Sequence, residues 1–137
     1  MLNQSTLQIL TTGRSLIEIT DKVNAVIEET NIESGLVQLF LQHTSASLIL
    51  SENADPTVLV DLESILSRLA PDGDAVYQHD YEGDDDMAAH VRSVLTTNDI
   101  TIPFKQGRLL MGTWQGVFLW EHRYQPHNRA IVVSLMH

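Results

Sequence analysis

The chain of 137 residues contains no cysteine, which excludes disulfides, thiolate nucleophiles and thiolate-ligated metals. A metal site would have to use histidine, aspartate and glutamate. Basic residues are also scarce, because 8 lysines and arginines stand against 18 aspartates and glutamates, giving a net charge of −10. This balance disfavours nucleic acids and anionic membrane surfaces as partners. A phosphorylated ligand would need local help from arginines, backbone N–H groups or a bound cation.

Long apolar runs, linkers and internal repeats are absent as well. No segment approaches the roughly 18 apolar residues of a membrane span. The first residues carry neither the basic nor the apolar region of a secretory signal, so we expect a cytoplasmic protein. No stretch rich in proline, glycine and serine divides the chain. We therefore expect residues 1–137 to form a single domain around one hydrophobic core.

Hydrophobic periodicity predicts three helices and eight strands. Thr20 suits the N-cap of a first helix, and Gly35 ends that section of the chain. Asp55 followed by Pro56 suits the start of a second helix. The third helix is predicted to begin in the acidic run Asp84–Asp86, after a long loop over residues 71–83. The strands are predicted at residues 5–10, 16–19, 36–41, 46–50, 100–104, 109–111, 113–123 and 131–136.

The order and composition of these elements indicate a fold class. Strands and helices do not alternate regularly, so an α+β domain with antiparallel strands near its C-terminal end fits better than a doubly wound fold. Residues 36–41 are almost continuously apolar, which is typical of a strand buried on both faces. The second helix is predicted to carry an apolar stripe of Val58, Leu62, Ile65 and Leu69, with Leu59 and Leu66 beside it. The third is predicted to have an apolar face of Met87, Val91, Val94 and Leu95.

Three histidines lie in polar clusters that could carry chemistry. His43 precedes Thr44 and Ser45 between two strands, where it could be a ligand or catalytic imidazole, or could satisfy backbone groups in a turn. His79 lies in the long loop. Asp86 and His90 share a helix face, so Asp86 could bind a metal with His90 or orient its ring. The alternative is an acidic run that caps the helix and faces water.

The strand predicted at residues 113–123 combines aromatic and polar side chains. Alternation places Trp114, Phe118, Trp120 and His122 on one face and Gln115, Val117, Leu119 and Glu121 on the other. Glu121 could act as a general base or ligand, or be neutralised by Arg123 or Arg129. The fork of Arg129 suits an anion, although a surface ion pair is an equal alternative. Acyl transfer by Ser45 and His43 is disfavoured, because no G-x-S-x-G elbow is present.

Several motifs taken together resemble the YjbQ family, whose members are often described as secondary thiamine-phosphate synthases. The similar segments span nearly the whole chain: LQHTSASL at 41–48, ENADPTV at 52–58, HDYEGDDDM at 79–87 with His90, and GRLLMGTWQG at 107–116 with EHR at 121–123. The resemblance implies a compact α+β domain with two packed β-sheets that assembles as a homotrimer. It also implies a histidine-lined metal site near the subunit boundary.

Carried over residue by residue, the resemblance makes His43, His79 and His90 the expected metal ligands. Further candidates for the site wall are Ser45, Asn53, Asp55, Asp86, Gln115, Glu121 and Arg129. One departure concerns Arg129: the family often has an Asp-Gly-Pro-Arg-like segment after the glutamate of the last long strand, whereas Glu121 is followed here by His122 and Arg123.

The activity implied by the resemblance is a weak thiamine-phosphate synthase reaction, in which a hydroxymethylpyrimidine diphosphate is joined to a thiazole phosphate. Two other functions stay open: a metal-dependent hydrolase, and a non-enzymatic trimer that binds a metal or small anion. Imidazole ligands favour zinc, and carboxylate participation would favour Mg or Mn.

Overall fold

Eight strands form two antiparallel sheets in the computed structural model, which describes residues 1–137. The elements are β1 (Leu2–Leu10), β2 (Ser15–Glu18), α1 (Thr20–Thr30), β3 (Ser34–Leu41), β4 (Ala46–Glu52), α2 (Pro56–Leu69), α3 (Asp84–Leu95), β5 (Asp99–Lys105), β6 (Arg108–Leu109), β7 (Gln115–Glu121) and β8 (Asn128–Met136). The larger sheet has the order β1-β8-β3-β5-β6 and the smaller one β2-β7-β4. The predicted single α+β domain with two sheets and three helices is confirmed.

One hydrophobic core lies between the two sheets. Alternate residues of β3 and β8 point into it, as the period of two in a strand requires: Val37, Leu39, Leu41, Ile131, Val133 and Leu135. The small sheet contributes Ala46, Leu48, Val117 and Leu119, and α1 adds Val23 and Ile27. None of the three helices has the length and hydrophobicity that a membrane crossing requires.

The predicted start of α2 is confirmed. Asp55 is its N-cap and accepts a hydrogen bond from the Thr57 amide at 2.9 Å, and Pro56 is the first helical residue. The predicted inward stripe is partly wrong, because Leu66 is buried while Ile65 and Leu69 are 49% and 63% exposed.

The predicted apolar face of α3 is also wrong. Val94 and Leu95 are exposed, and the helix instead buries Asp86, Ala88, Ala89 and Arg92. Two alanines let the helix backbone approach β4 closely, and this places the polar side chains of the same face over the small sheet.

Two predictions about the first half of the chain are wrong. Thr20 is not an N-cap but the first residue of α1, where its Oγ1 donates to Glu18 and accepts from the Val117 amide. Gly35 lies inside β3 and not between elements. A Cβ there would stand 2.2 Å from the Met136 carbonyl oxygen, so the close approach of β3 to β8 requires glycine.

The strand β3 is buried on one face only. Val37, Leu39 and Leu41 are buried, whereas Leu36 is 45% and Phe40 43% exposed. The prediction of burial on both faces is therefore wrong for a single chain, and the outer face of the large sheet carries uncovered apolar side chains.

Candidate metal centre

Asp86, His79 and His90 bring three candidate ligand atoms together, all within 4.8 Å of one another. Asp86 lies in the first turn of α3, and His90 follows one turn later on the same face. The loop before α3 returns His79 to them. The Nε2 of His79 lies 2.7 Å from Asp86 Oδ2, and the Nε2 of His90 lies 3.5 Å from the same oxygen. The loop also supplies Glu82, whose Oε2 lies 3.3 Å from His79 Nε2.

Arg123, beyond the end of β7, fixes the orientation of Asp86. Its Nη1 donates to Asp86 Oδ1 at 2.8 Å, its Nε to Asp85 Oδ2 at 2.9 Å and its Nη2 to the Glu82 carbonyl at 3.0 Å. Burial acts to raise the pKa of Asp86, but hydrogen bonds with Glu82 and His79 and the Arg123 charge outweigh it and lower that pKa. Asp86 is therefore a carboxylate at neutral pH, with Oδ2 directed at the two imidazoles.

The spacing of these atoms fits a tetrahedral cation. Bonds of 2.0–2.1 Å from imidazole and carboxylate to zinc place neighbouring ligand atoms about 3.3 Å apart. The separations of 3.5 Å between His90 and Asp86 and 3.3 Å between His79 and Glu82 are close to this value. The hydrogen-bonded pair of His79 and Asp86, at 2.7 Å, would have to open by a few tenths of an ångström to bind such a cation.

His43 lies outside this group and is held by β8. Its Nε2 accepts a hydrogen bond from the Ala130 amide at 2.8 Å, and Nη1 of Arg129 lies 3.3 Å from its Nδ1. Burial, and after it the Arg129 charge, lower the pKa of His43. The ring is therefore neutral, and a ligand role for it would require release of Nε2 from Ala130.

Glu121 and Arg129 form a buried ion pair behind His43. Their side chains are 0% and 3% exposed, and two nitrogens of Arg129 donate to the carboxylate. Thr11 donates to Glu121 at 2.7 Å, and Arg129 also donates to Ser45 Oγ at 3.0 Å. Because these groups satisfy one another, Arg129 acts as a support for His43 and Ser45 and has little surface left for an anion.

An open pocket of about 380 Å³ connects the two histidine clusters. It is lined by His43, Thr44, His90, Ser93, Val94, Thr96, Thr97 and Asn98. His90 thus belongs both to the ligand group and to the pocket wall, and His43 faces the same space. The fold thus brings His43 and His90, which are 47 positions apart in the sequence, to the wall of one pocket.

Three predicted site residues lie at the opposite end of the small sheet. In the β4–β7 pair, Ala46 is opposite Glu121, whereas Glu52 is opposite Gln115. Six residues of strand separate these ends, a distance of about 20 Å. There Asn53 donates to Glu18, Gln115 accepts from the Gly112 amide, and Asp55 caps α2. Within one chain, Asn53, Asp55 and Gln115 are not part of the histidine site.

Sequence reasoning did not identify Glu82 and Arg123 as parts of the site. Glu82 could have been found, since it follows His79 by three residues in the same loop. Arg123 carries no local signal, because its partner Asp86 lies 37 residues away in the sequence.

Comparisons with known proteins agree with the fold. Residues 5–137 match the family model described as UPF0047 protein YjbQ-like. The UPF0047 protein sll1880 of Synechocystis sp. is 50% identical over 133 residues, covering 97% of this chain and 90% of that protein. The UPF0047 protein YjbQ of Escherichia coli O157:H7 is 42% identical over 136 residues, covering 98% of each chain.

Solved structures show the same architecture. The conserved hypothetical protein TT1486 of Thermus thermophilus superposes with a TM-score of 0.87 at 37% identity, over 96% of this chain and 99% of that one. A protein of unknown function from Sulfolobus solfataricus P2 gives a TM-score of 0.84 over 98% of each chain, and at 22% identity it shows the fold alone. This chain therefore belongs to the UPF0047 family of YjbQ-like proteins.

Proposed function

We propose that this protein is a metal-assisted transferase of the cytoplasm, and that it works as a homotrimer. His79, Asp86 and His90 hold the cation; zinc suits this donor set best, and Mg or Mn are the alternatives. The reaction is the one that the family resemblance implies, thiamine-phosphate synthesis. The thiazole phosphate nitrogen attacks the methylene carbon of a hydroxymethylpyrimidine diphosphate, the carbon–oxygen bond breaks, and diphosphate leaves with the bonding electrons.

The observation that carries the proposal is the convergence of two imidazoles on one oxygen of Asp86, while Arg123 holds the other oxygen. A chain with a net charge of −10 and no lysine or arginine on the pocket wall has little to attract a diphosphate. A bound cation supplies the positive charge that a departing diphosphate needs.

The other residues have supporting roles in this proposal. Arg123 orients Asp86, and partners of this kind typically matter 10- to 100-fold for metal affinity. His43 is a neutral imidazole on the pocket wall, and the Ala130 amide and Arg129 fix its ring in place. Arg129 positions His43 from behind and is not the anion contact.

Metal content and affinity test the site directly. We expect about one zinc ion per chain by elemental analysis after loading, and a lower melting temperature after chelation. His90→Ala and Asp86→Asn should lose the metal, and Arg123→Gln should bind zinc roughly 10- to 100-fold more weakly. His137→Ala is the matched control, because His137 is exposed and its side chain makes no hydrogen bond. Full zinc content in both ligand variants would contradict the proposed site.

Turnover separates the transferase from its alternatives. The zinc-loaded protein should form thiamine phosphate from the two phosphorylated substrates, and His90→Ala should form none while keeping its fold. Release of phosphate or diphosphate without coupling would indicate a hydrolase. Metal binding with no turnover on a broad phosphoester and diphosphate panel would indicate a binding module.

A further inference from the structure

The pocket between the β3–β4 turn and the end of α3 has an unusual wall for a protein expected to bind phosphates. Apart from the two imidazoles, none of its lining side chains carries a charge. Phosphate groups are usually met by arginine, lysine or backbone N–H donors. The polar groups of this wall therefore decide which part of a ligand it can accept.

Three hydroxyl groups of the pocket wall donate their hydrogens to backbone carbonyls of the protein. Ser93 donates to the Ala46 carbonyl, Thr96 to the Arg92 carbonyl at 2.7 Å, and Thr97 to the Asp99 carbonyl at 2.9 Å. A hydroxyl has one hydrogen and two lone pairs. The Thr97 oxygen also accepts from the Asp99 amide at 3.4 Å, and the Thr96 oxygen is hydrogen-bonded to Ser47. Ser93 and Thr97 therefore keep at least one lone pair each, and they can meet a ligand only as acceptors. Thr44 and Asn98 keep groups that can donate or accept.

The backbone of the wall offers acceptors as well. The amide of Thr96 donates to the Arg92 carbonyl, and no backbone amide donates to the carbonyls of Ser93, Val94 and Leu95. These are the last carbonyls of α3, where the negative end of the helix dipole lies. A cation or a hydrogen-bond donor is favoured at this position, and a phosphate is disfavoured.

We propose that this pocket binds the cationic, hydrogen-bond-donating end of the ligand, an ammonium or amino group, while the phosphate of the same molecule lies at the metal end beside His90. The substrate class is then a small phosphorylated amine. This inference rests on the proposed function for the position of the phosphate. The acceptor character of the pocket is independent of any metal.

Matched ligand pairs test the inference by calorimetry on the zinc-loaded protein. Aminoalkyl phosphates with two to four carbons are each compared with the n-alkyl phosphate that has the same number of heavy atoms, so that a methyl group replaces the ammonium. For the chain length that fits, we expect the aminoalkyl phosphate to bind roughly tenfold more tightly, as for a hydrogen bond to a charged group. Equal or reversed affinities at every length overturn the inference.

Two variants link this preference to the pocket wall. Thr97→Val removes one acceptor and should bring the affinity ratio of the fitting pair close to one. Thr113→Val is the matched control, because Thr113 is exposed and lies outside the pocket; its ratio should be unchanged. An unchanged ratio in a folded Thr97→Val protein overturns the assignment to this wall.

A metal-free arm separates failure of the pocket from failure of the metal site. The metal-free protein is titrated with n-butylammonium, and the amide resonances of Thr97 and Asn98 are followed by NMR. If n-butylammonium shifts these amide resonances and Thr97→Val abolishes the shifts, the pocket binds ammonium groups as proposed. If in addition no phosphate binds in the presence of zinc, the proposed metal function fails and the pocket assignment stands. Absence of shifts, together with no preference among the phosphates, overturns the pocket.

Discussion

At the scale of single residues, His122 shows how burial controls ionisation in this fold. The side chain is fully buried, its Nε2 lies 2.7 Å from Ser47 Oγ, and its Nδ1 has no hydrogen-bond partner. Burial, followed by the charges of Arg92, Arg14 and Arg129, lowers the pKa of His122 to about 3. The folded state thus holds a neutral ring where an unfolded chain would bind a proton below pH 6.5.

This difference predicts a loss of stability in mild acid. Between pH 6.5 and about 3 the unfolded state binds a proton at His122 and the folded state does not, so the free energy of unfolding falls as pH falls. The contribution is about 2 kcal/mol between pH 7.5 and pH 5. Urea unfolding at fixed protein concentration should show this fall, and His122→Gln should remove that part of it.

The choice of pH range separates His122 from the carboxylates but not from His43, whose pKa is also lowered, so the His122→Gln variant is needed to assign its part of the fall. The pKa values of Asp72, Asp85 and Asp86 are lowered, so these carboxylates stay charged above pH 5. His137→Gln, at an exposed histidine, is the control and should keep the slope of the unmodified protein. If the free energy of unfolding of His122→Gln falls with pH as steeply as that of the unmodified protein, the His122 ring is protonated in the folded state and the prediction is wrong.

At the scale of elements, the sequence predicts those features of a helix that depend only on neighbouring residues. Asp55 and Pro56 predicted the start of α2 because capping involves only neighbouring residues. The inward face of α3 was missed because it is set by distance to β4, where Ala88 and Ala89 fit and Val94 does not. Arg92 on that face is fully buried, with Glu63 as its ion-pair partner, and no pattern near Arg92 in the sequence indicates this.

Gly35 yields the prediction that belongs to this scale. Its backbone approaches β8 so closely that a Cβ would stand 2.2 Å from the Met136 carbonyl oxygen and 3.2 Å from the Phe104 ring. Gly35→Ala should push β3 and β8 apart and cost about 1–3 kcal/mol, as overpacking does. Urea unfolding of Gly35→Ala and Gly112→Ala makes the comparison, since the three atoms nearest to an added Cβ at Gly112 all belong to the flexible Gln115 side chain. Equal stability of the two variants would show that β8 shifts without cost.

At the scale of the whole molecule, the sequence predicts the kind of site, a metal centre, but not the full set of residues that form it. Histidines beside carboxylates indicated a metal centre, and His79, Asp86 and His90 do lie together. Asn53, Asp55 and Gln115 were assigned to the site because they lie in the matching motifs. A motif does not show at which end of a strand its residues lie, and these three lie at the end away from the histidines. His43 contacts Arg129 and Ala130 of β8, and these contacts depend on the strand register of the large sheet, which the sequence near His43 does not indicate.

The outer face of the large sheet is the feature that a single chain leaves unexplained. Its outward positions on β1, β8 and β3 follow from the register: Leu2, Gln4, Thr6, Gln8, Leu10, Asn128, Ala130, Val132, Ser134, Met136, Leu36, Gln38 and Phe40. None of these side chains is charged, in a chain with 26 lysine, arginine, aspartate and glutamate residues (8 basic and 18 acidic). Charged side chains on this face begin at β5, where Asp99 is paired with Phe40 and Lys105 with Ser34. An exposed area without charge that carries several large apolar residues is typical of a surface covered by another subunit.

We therefore expect neighbouring copies to cover this face, and the family resemblance implies that they form a homotrimer. Light scattering after size exclusion should give three times the 15.4 kDa of one chain.

Phe40→Glu places a charge where 43% of the side chain is exposed in a single chain, so it should yield smaller species without unfolding them. Val60→Glu, at an exposed position on α2, is the control and should stay trimeric. A one-chain mass for the unmodified protein, or a trimer that tolerates Phe40→Glu, would mean that this face does not form the subunit contact.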